Sequence, residues 1–384
     1  MLLQRVVQPM SRKSFAIIGN QAFSLLNFRS PLIRDIISRG YDVYALAPDF
    51  DVATTEQVRQ LGAVPVSISL SRTGLNPVRD LRDVVKLARV LARLRPETVL
   101  SFSIKPVIYG TLSARFAGVP HRYALIAGLG YAFGDSTRST FKAKLLHYLA
   151  RALYKLSLSQ AQRVFMQNPD DAADFVRMGI VDGGKIQEVN GTGVDLLTWP
   201  VLPPVDQPMT FLLAARLLAE KGIVEYAEAA RIVKAKFPQT RFILLGGLDS
   251  NPNGVGRAGV ERWVAEGILE WPGHVDVRPW LRQASVYVLP SYYREGIPRS
   301  IQEALASGRP VITTSAPGCR ETVVEGVNGL LVPVRDVDAL VGAMLTFVQR
   351  PELVHSMGRA SRMLAEEKFD VREINRTMIS SMGL

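Results

Sequence analysis

One cysteine, Cys319, and four histidines among 384 residues leave this chain poor in soft metal ligands. A single thiol closes no internal disulfide, so no covalent staple is expected and a reducing compartment suits the chain. The histidines and the cysteine lack ligand spacing, so no metal and no other cofactor is expected. No run reaches the roughly 20 apolar residues of a membrane-spanning helix. Residues Met1 to Met10 have neither the apolar core nor the cleavage-type end of a secretion signal. A cytoplasmic protein is expected, with any membrane contact confined to its surface. Gly19 follows a strand-like run, but Gly19-Asn-Gln-Ala-Phe23 has no G-x-G-x-x-G spacing, which argues against a dinucleotide fingerprint. Repeats and low-complexity tracts are also absent.

What is present describes a folded protein of two domains. The apolar fraction is 47% and the charged fraction 21%, and the length permits two separate cores. The net charge of +11 is unevenly spread. Residues 1–195 hold 25 Lys+Arg against 15 Asp+Glu, whereas residues 196–384 hold 21 against 20. The basic first half suits anionic lipid or nucleic acid. No recognition helix or aromatic platform accompanies the charge, which leaves nucleic-acid binding a remote alternative.

Strand-like and helix-like runs alternate through both halves. Strands are expected at Phe15–Gly19, Tyr41–Ala47, Thr98–Phe102, Tyr123–Ala127 and Val164–Gln167, with helices at Ser30–Arg39, Leu81–Leu94 and Phe141–Leu158. The segment Asn190-Gly-Thr-Gly-Val-Asp195, followed by Pro200, Pro203, Pro204 and Pro208, reads as a hinge. A second series follows, with strands at Thr210–Ala215, Arg241–Gly246, Ser285–Pro290 and Pro310–Thr314. Its helices are Ile223–Phe237, Arg299–Ser307, Val337–Gln349 and one continuous stretch from Arg362 to Met378. Such alternation predicts an α/β fold with parallel sheets covered on both faces. Ligands of such sheets bind beyond the carboxyl ends of the strands.

Two carboxylates, Glu295 and Glu303, stand eight residues apart across a Gly296-Ile297-Pro298 break. On one helix they would lie about two turns apart and could not close on a small ligand. The break places Glu295 in a loop at a strand end and Glu303 on the helix that Pro298 begins. The N–H groups of that helix start favour an anion between them, so the motif can grip a polyol phosphate. Arg216 and Lys221 flank Leu-Leu-Ala-Glu after another strand, where two cations can neutralise a diphosphate without a metal. Asp336-Val-Asp338 has a metal-binding form, but its place before a helix is explained by capping.

Residues 209–345 resemble the retaining nucleotide-sugar glycosyltransferases of family 4, which have the GT-B fold. The resemblance rests on Ala215-Arg-Leu-Leu-Ala-Glu-Lys-Gly222, the Glu295 to Glu303 segment, Gly308-Arg-Pro-Val-Ile312 and Asn328-Gly-Leu-Leu-Val-Pro333. Several runs are similar to a bacterial subgroup that extends sugars on undecaprenyl diphosphate, typified by N-acetylgalactosamine transfer to diacetylbacillosamine. They are Asn27-Phe-Arg-Ser-Pro-Leu32, Ser103-Ile-Lys-Pro106 with Tyr109-Gly110, Gly128-Leu-Gly-Tyr-Ala-Phe133, Gln167-Asn-Pro-Asp-Asp171 and Pro317-Gly-Cys-Arg-Glu321. The resemblance implies two doubly wound Rossmann-like domains facing across a cleft. Residues 12–196 would bind the acceptor and 197–364 the donor, with 365–384 packing back on the first domain.

The same resemblance implies a UDP-sugar donor, a lipid-linked saccharide acceptor and retention of anomeric configuration. Arg216 and Lys221 would hold the donor diphosphate and Glu303 the ribose. Glu295 and the loop Gly296, Ile297, Pro298 and Arg299 would meet the donor sugar. Glu295, Arg216 and Lys221 would then carry the chemistry. Many family members place a histidine in the first-domain loop near the sugar; Ala127-Gly-Leu-Gly-Tyr131 has none. Arg29 and Lys105, at expected strand–helix junctions, and Asn27 beside them are candidates for the acceptor. Arg138, Lys142, Lys144, Arg151 and Lys155 interleave with Phe141, Leu145, Leu146, Leu149 and Leu153, a pattern suited to anionic lipid at the inner membrane. Arg79, Arg82, Lys86, Arg89, Arg93 and Arg95 add a second basic stretch. A sugar-nucleotide epimerase on the same scaffold is the alternative within enzymes.

Overall fold

The computed structural model describes residues 13–71, 77–128, 141–249, 251 and 253–384, with backbone alone for 77 and 141–147. Two parallel sheets organise the chain. The first runs β3-β2-β1-β4-β5-β6-β7, where β1 is Ser14–Ile18, β2 Asp42–Ala47, β3 Val64–Ser67, β4 Thr98–Phe102, β5 His121–Ile126, β6 Arg163–Met166 and β7 Ile186–Glu188. Its helices are α1 (Ala22–Ser38), α2 (Val52–Gln60), α3 (Pro77–Leu94), α4 (Thr111–Phe116), α5 (Phe141–Ser159) and α6 (Pro169–Arg177).

The second sheet repeats that order as β10-β9-β8-β11-β12-β13. Here β8 is Thr210–Ala214, β9 Arg241–Leu245, β10 Glu270–Gly273, β11 Val286–Leu289, β12 Val311–Thr314 and β13 Gly329–Val332. Helices α7 (Ile223–Lys236), α8 (Arg257–Ala265), α9 (Arg278–Leu281), α10 (Arg299–Ala306), α11 (Val337–Gln349), α12 (Glu352–Lys368) and α13 (Val371–Met382) complete the chain.

Strands buried on both faces need continuous apolar sequence, and β1 (Ser-Phe-Ala-Ile-Ile) supplies it. Successive side chains divide between the two faces. Phe15 and Ile17 join the core under α1 and α2, whereas Ala16 and Ile18 join the core under α3, α4 and α5. The second sheet has its own core, centred on Phe211, Phe242, Tyr287 and Phe347. Each sheet reverses direction of winding once, between β1 and β4 and between β8 and β11. Those two switch points are where the strand ends open a crevice for ligands.

Two expected elements differ. The first helix begins at Ala22 rather than near Ser30, because the Asp49 carboxylate accepts from the Ala22 N–H at 2.7 Å and supplies a cap from outside the segment. Pro31 lies inside α1. The expected Arg362–Met378 helix is broken: α12 ends at Lys368, and Asp370 caps α13 by accepting from the Arg372 N–H. At the break the chain meets the hinge, with Val194 N–H donating to the Phe369 carbonyl at 2.8 Å and Val371 N–H to the Val194 carbonyl at 3.1 Å. Helix α12 packs into the second core through Val354, Leu364 and Ala365, while α13 places Ile374, Met378 and Ile379 in the core of the first sheet.

Candidate active site

The second switch point gathers the expected cations and carboxylates. Gly222, at φ +75°, lets the chain turn after Lys221 beneath the Pro290 carbonyl, where a β-carbon would stand 2.2 Å from that oxygen. The Glu220 carbonyl accepts from the Tyr292 N–H at 2.9 Å and the Tyr293 N–H at 3.0 Å, so the loops after β8 and β11 are knitted together. Lys221 Nζ then forms an ion pair with Glu295 Oε1 and lies 5.2 Å from the centroid of the Tyr293 ring. Ser291 Oγ donates to the same carboxylate at 3.2 Å.

Arg299, the first residue of α10, pairs through Nε with Glu303 Oε1 at 3.0 Å, one turn further on. Burial pushes the Glu303 carboxyl upward, and Arg299 draws it partly back. Arg216 is more open and pairs with Asp249 at 3.0 Å. Gly296 and Ile297 complete the loop, and Pro298 stands immediately before α10. Asp336 Oδ1 accepts from the Ala339 N–H at 2.8 Å, so it caps α11. Among the described residues, no group of three or more His, Cys, Asp and Glu is arranged to hold a metal.

The three first-domain candidates have different settings. Arg29 is only 3% exposed, and its guanidinium lies 5.2 Å from the Phe102 ring centroid at the end of β4. Its Nε has no hydrogen-bond partner. Burial, together with repulsion from Arg299 across the domains, lowers its pKa to about 9. Asn27 and Arg29 lie inside helix α1, not at a strand–helix junction, and two residues on a helix turn about 200°. Asn27 is accordingly exposed while Arg29 is buried. Lys105, the remaining candidate for the acceptor, has partners within its own domain. Its ammonium is already engaged by Asp80 Oδ1 at 3.0 Å and Ser71 Oγ at 2.5 Å, and Tyr109 OH donates to Asp80 Oδ2 at 2.9 Å. Lys105 also lines a 230 Å³ cavity between the domains with Asn20, Gly128, Tyr154, Tyr293 and Arg294.

Sequence reasoning missed a network that joins the two domains at Glu295. Asn168 Oδ1 caps α6 by accepting from the Asp171 N–H at 2.8 Å, and its Nδ2 donates to the Glu295 carbonyl at 3.0 Å and the Gly296 carbonyl at 3.2 Å. Arg294 Nη2 reaches Asp171 at 2.9 Å and Asp174 at 2.7 Å. Arg320 pairs with Asp170. Asn168-Pro-Asp-Asp171 is a legible helix start, but its partners lie more than 120 residues away, beyond any local pattern. The Gly128-to-Phe133 run is described only at Gly128, and Arg138 lies outside the described residues.

Two facing doubly wound sheets, with a cation–carboxylate cluster at the switch point between them, define the class of GT-B glycosyltransferases. The model of the glycosyl transferases group 1 matches residues 208–350, and that of the glycosyl transferase 4-like domain matches residues 30–190. An N,N'-diacetylbacillosaminyl-diphospho-undecaprenol alpha-1,3-N-acetylgalactosaminyltransferase of Campylobacter jejuni is 30% identical over 82% of this chain and 83% of that protein. A UDP-Gal:alpha-D-GlcNAc-diphosphoundecaprenol alpha-1,3-galactosyltransferase of Escherichia coli is 24% identical over 70% of each chain. In fold, the chain is similar to Anabaena HepE, solved in complex with UDP, at a TM-score of 0.74 and 17% identity, covering 97% of this chain and 100% of that one. The chain belongs to the group 1 glycosyltransferases, and it is an enzyme of that activity.

Proposed function

We propose that the protein moves a sugar, an N-acetylhexosamine, from a UDP-sugar to a polyprenyl-diphosphate-linked saccharide, with retention of anomeric configuration. The observation that carries this reading is the buried Arg29, whose Nε has no hydrogen-bond partner and whose guanidinium faces the charge of Arg299 across the two switch points. A buried guanidinium N–H without a partner is costly, and an anionic group between the domains relieves it. Phosphate is the anion common to both substrates, and the named relatives act on undecaprenyl-diphosphate-linked sugars.

In the proposed reaction the bond from the sugar's anomeric carbon to the diphosphate oxygen breaks through an oxocarbenium-like centre. The acceptor hydroxyl forms the new bond on the same face, and its proton passes to the departing phosphate oxygen. Arg216, Lys221 and the start of α10 stabilise the charge that develops there. Diphosphate competes with Glu295 for the Lys221 ammonium, which frees that carboxylate for the donor sugar. Glu303 accepts hydrogen bonds from the ribose diol. The pair-breaking is inexpensive because each cation exchanges one anionic partner for another.

The acceptor reading places the protein at the cytoplasmic face of the inner membrane. Among the described residues no helix is long and apolar enough to cross a membrane. Helix α3 exposes Val78, Leu81 and Val85 beside Arg79, Arg82 and Lys86, and α5 exposes Tyr148, Leu149 and Leu156 beside Arg151 and Lys155. Mixed basic and apolar faces of this kind favour an anionic lipid surface.

The test is a panel of UDP-sugars with synthetic polyprenyl-diphosphate saccharides, read by mass spectrometry, with a no-acceptor arm. Acceptor-dependent extension by one sugar is expected. Release of free sugar or an altered nucleotide sugar without acceptor, and no extension, would reject the reading in favour of an epimerase.

A further inference from the structure

The motif Gln167-Asn-Pro-Asp-Asp171 has no place in the proposed chemistry, yet the structure sets it directly against the loop that carries Glu295. We infer that Asn168, Asp171 and Arg294 are positioning residues for the transfer: the first domain fixes the main chain at Glu295–Gly296 and thereby aims the Glu295 carboxylate. The inference rests on the proposed role of Glu295 at the donor sugar.

The fit is close on every side of the loop. A β-carbon at Gly128 of the first domain would stand 2.5 Å from the Gly296 nitrogen, and one at Gly318 would stand 2.0 Å from the Gly296 oxygen. One at Gly296 would stand 2.1 Å from Gln167 Oε1. The main chain therefore runs through a slot of three glycines, two from the second domain and one from the first. Asn168 closes the slot by donating to two successive carbonyls. Asp171, itself 1% exposed, is oriented by that same asparagine and receives Arg294, the residue before Glu295. The carboxylate of Glu295 reaches Lys221 and Ser291 in its own domain, while the backbone beneath it is held by the other. Both domains therefore bear on the backbone of that residue, whereas its carboxylate is held within its own domain.

Asn168→Ser separates this role from helix capping. Serine keeps a capping oxygen for α6 but lacks the amide that reaches the Glu295 and Gly296 carbonyls. The expected result is a fall in kcat of about 100-fold, as for a misplaced group at a reacting centre, with the calorimetric Kd for UDP within about twofold of the parent. Arg294→Lys should retain more activity than Arg294→Ala. Hydrogen exchange at residues 294–298 should quicken in Asn168→Ser whether or not a sugar is transferred. If the parent protein transfers no sugar, the functional reading fails and the exchange result still decides whether Asn168 holds the loop. Unchanged exchange, unchanged kcat, or a loss confined to UDP affinity would each overturn the inference.

Discussion

Glu303 combines a buried carboxyl with a cation one helical turn away, and the two effects oppose each other. Burial is the larger, so the folded protein holds that proton to higher pH than the unfolded chain does. A raised acid contributes stability below the ordinary carboxylate range, and that contribution is lost as pH rises through the folded value. Glu303→Gln removes the titration. Its melting temperature should therefore rise relative to the parent's between about pH 4.5 and pH 7, on top of whatever offset the loss of the Arg299 partner brings. Parallel profiles would contradict the assignment. Cys319 offers a second test at the same scale. Burial raises its thiol to about 12, which leaves roughly a thousandfold less thiolate than a free cysteine holds. Native protein at about pH 8 should resist a thiol reagent that labels the denatured chain within minutes. Rapid native labelling would show that the loop at Gly318 opens.

At the scale of elements, what the sequence made legible depended on where each strand lies. The nine inner strands were readable because each carries a buried, mainly apolar run, as in Phe-Ile-Leu-Leu of β9. The four unread strands, β3, β7, β10 and β13, are the four sheet edges. Edge strands such as Ile-Gln-Glu of β7 and Glu-Trp-Pro-Gly of β10 are short and partly solvated, so they carry no such signal. The start of α1 was misplaced for a different reason, since its cap is Asp49 of another segment. The Glu295 and Glu303 break, by contrast, is a local pattern, and the loop and helix fall where it places them. Lys105 shows the limit of reading charge from sequence alone: its counterion, Asp80, comes from α3. The pair is nearly inaccessible, at 9% and 5% exposure. Asp80→Ala should cost about 3–5 kcal/mol in urea unfolding, because it strands a buried ammonium. Lys105→Met should lower stability while leaving the acceptor KM of the folded enzyme unchanged. A selective rise in that KM would instead show that Lys105 contacts the acceptor.

For the whole molecule, the contact between the domains includes, among the described residues, Asn168, the aspartates of α6, Arg294, Arg320 and the Gly128 crossing. Gly128→Ala adds a β-carbon against backbone at a residue whose φ is +98°. Overpacking of about 1–3 kcal/mol there weakens closure by roughly 5-fold to 150-fold without touching either core. The variant should keep its helical content but scatter as a more extended particle in solution, and its transfer rate should fall. An unchanged radius and rate would show that the crossing is not needed.

The two connections between the domains do not merely pass near each other; Val194 is bonded to both sides of the α12–α13 break. Beside it, the Gly193 N–H donates to the Gln302 side chain at 2.9 Å, and Gln302 precedes Glu303 on α10. A pair of linkers pinned at one place makes that place the pivot for any turn of one domain against the other. The helix expected to read the nucleotide is hydrogen-bonded beside that pivot. Occupancy of the nucleotide site and the angle between the domains then share one free energy: whatever binding does to the angle, fixing the angle does to binding.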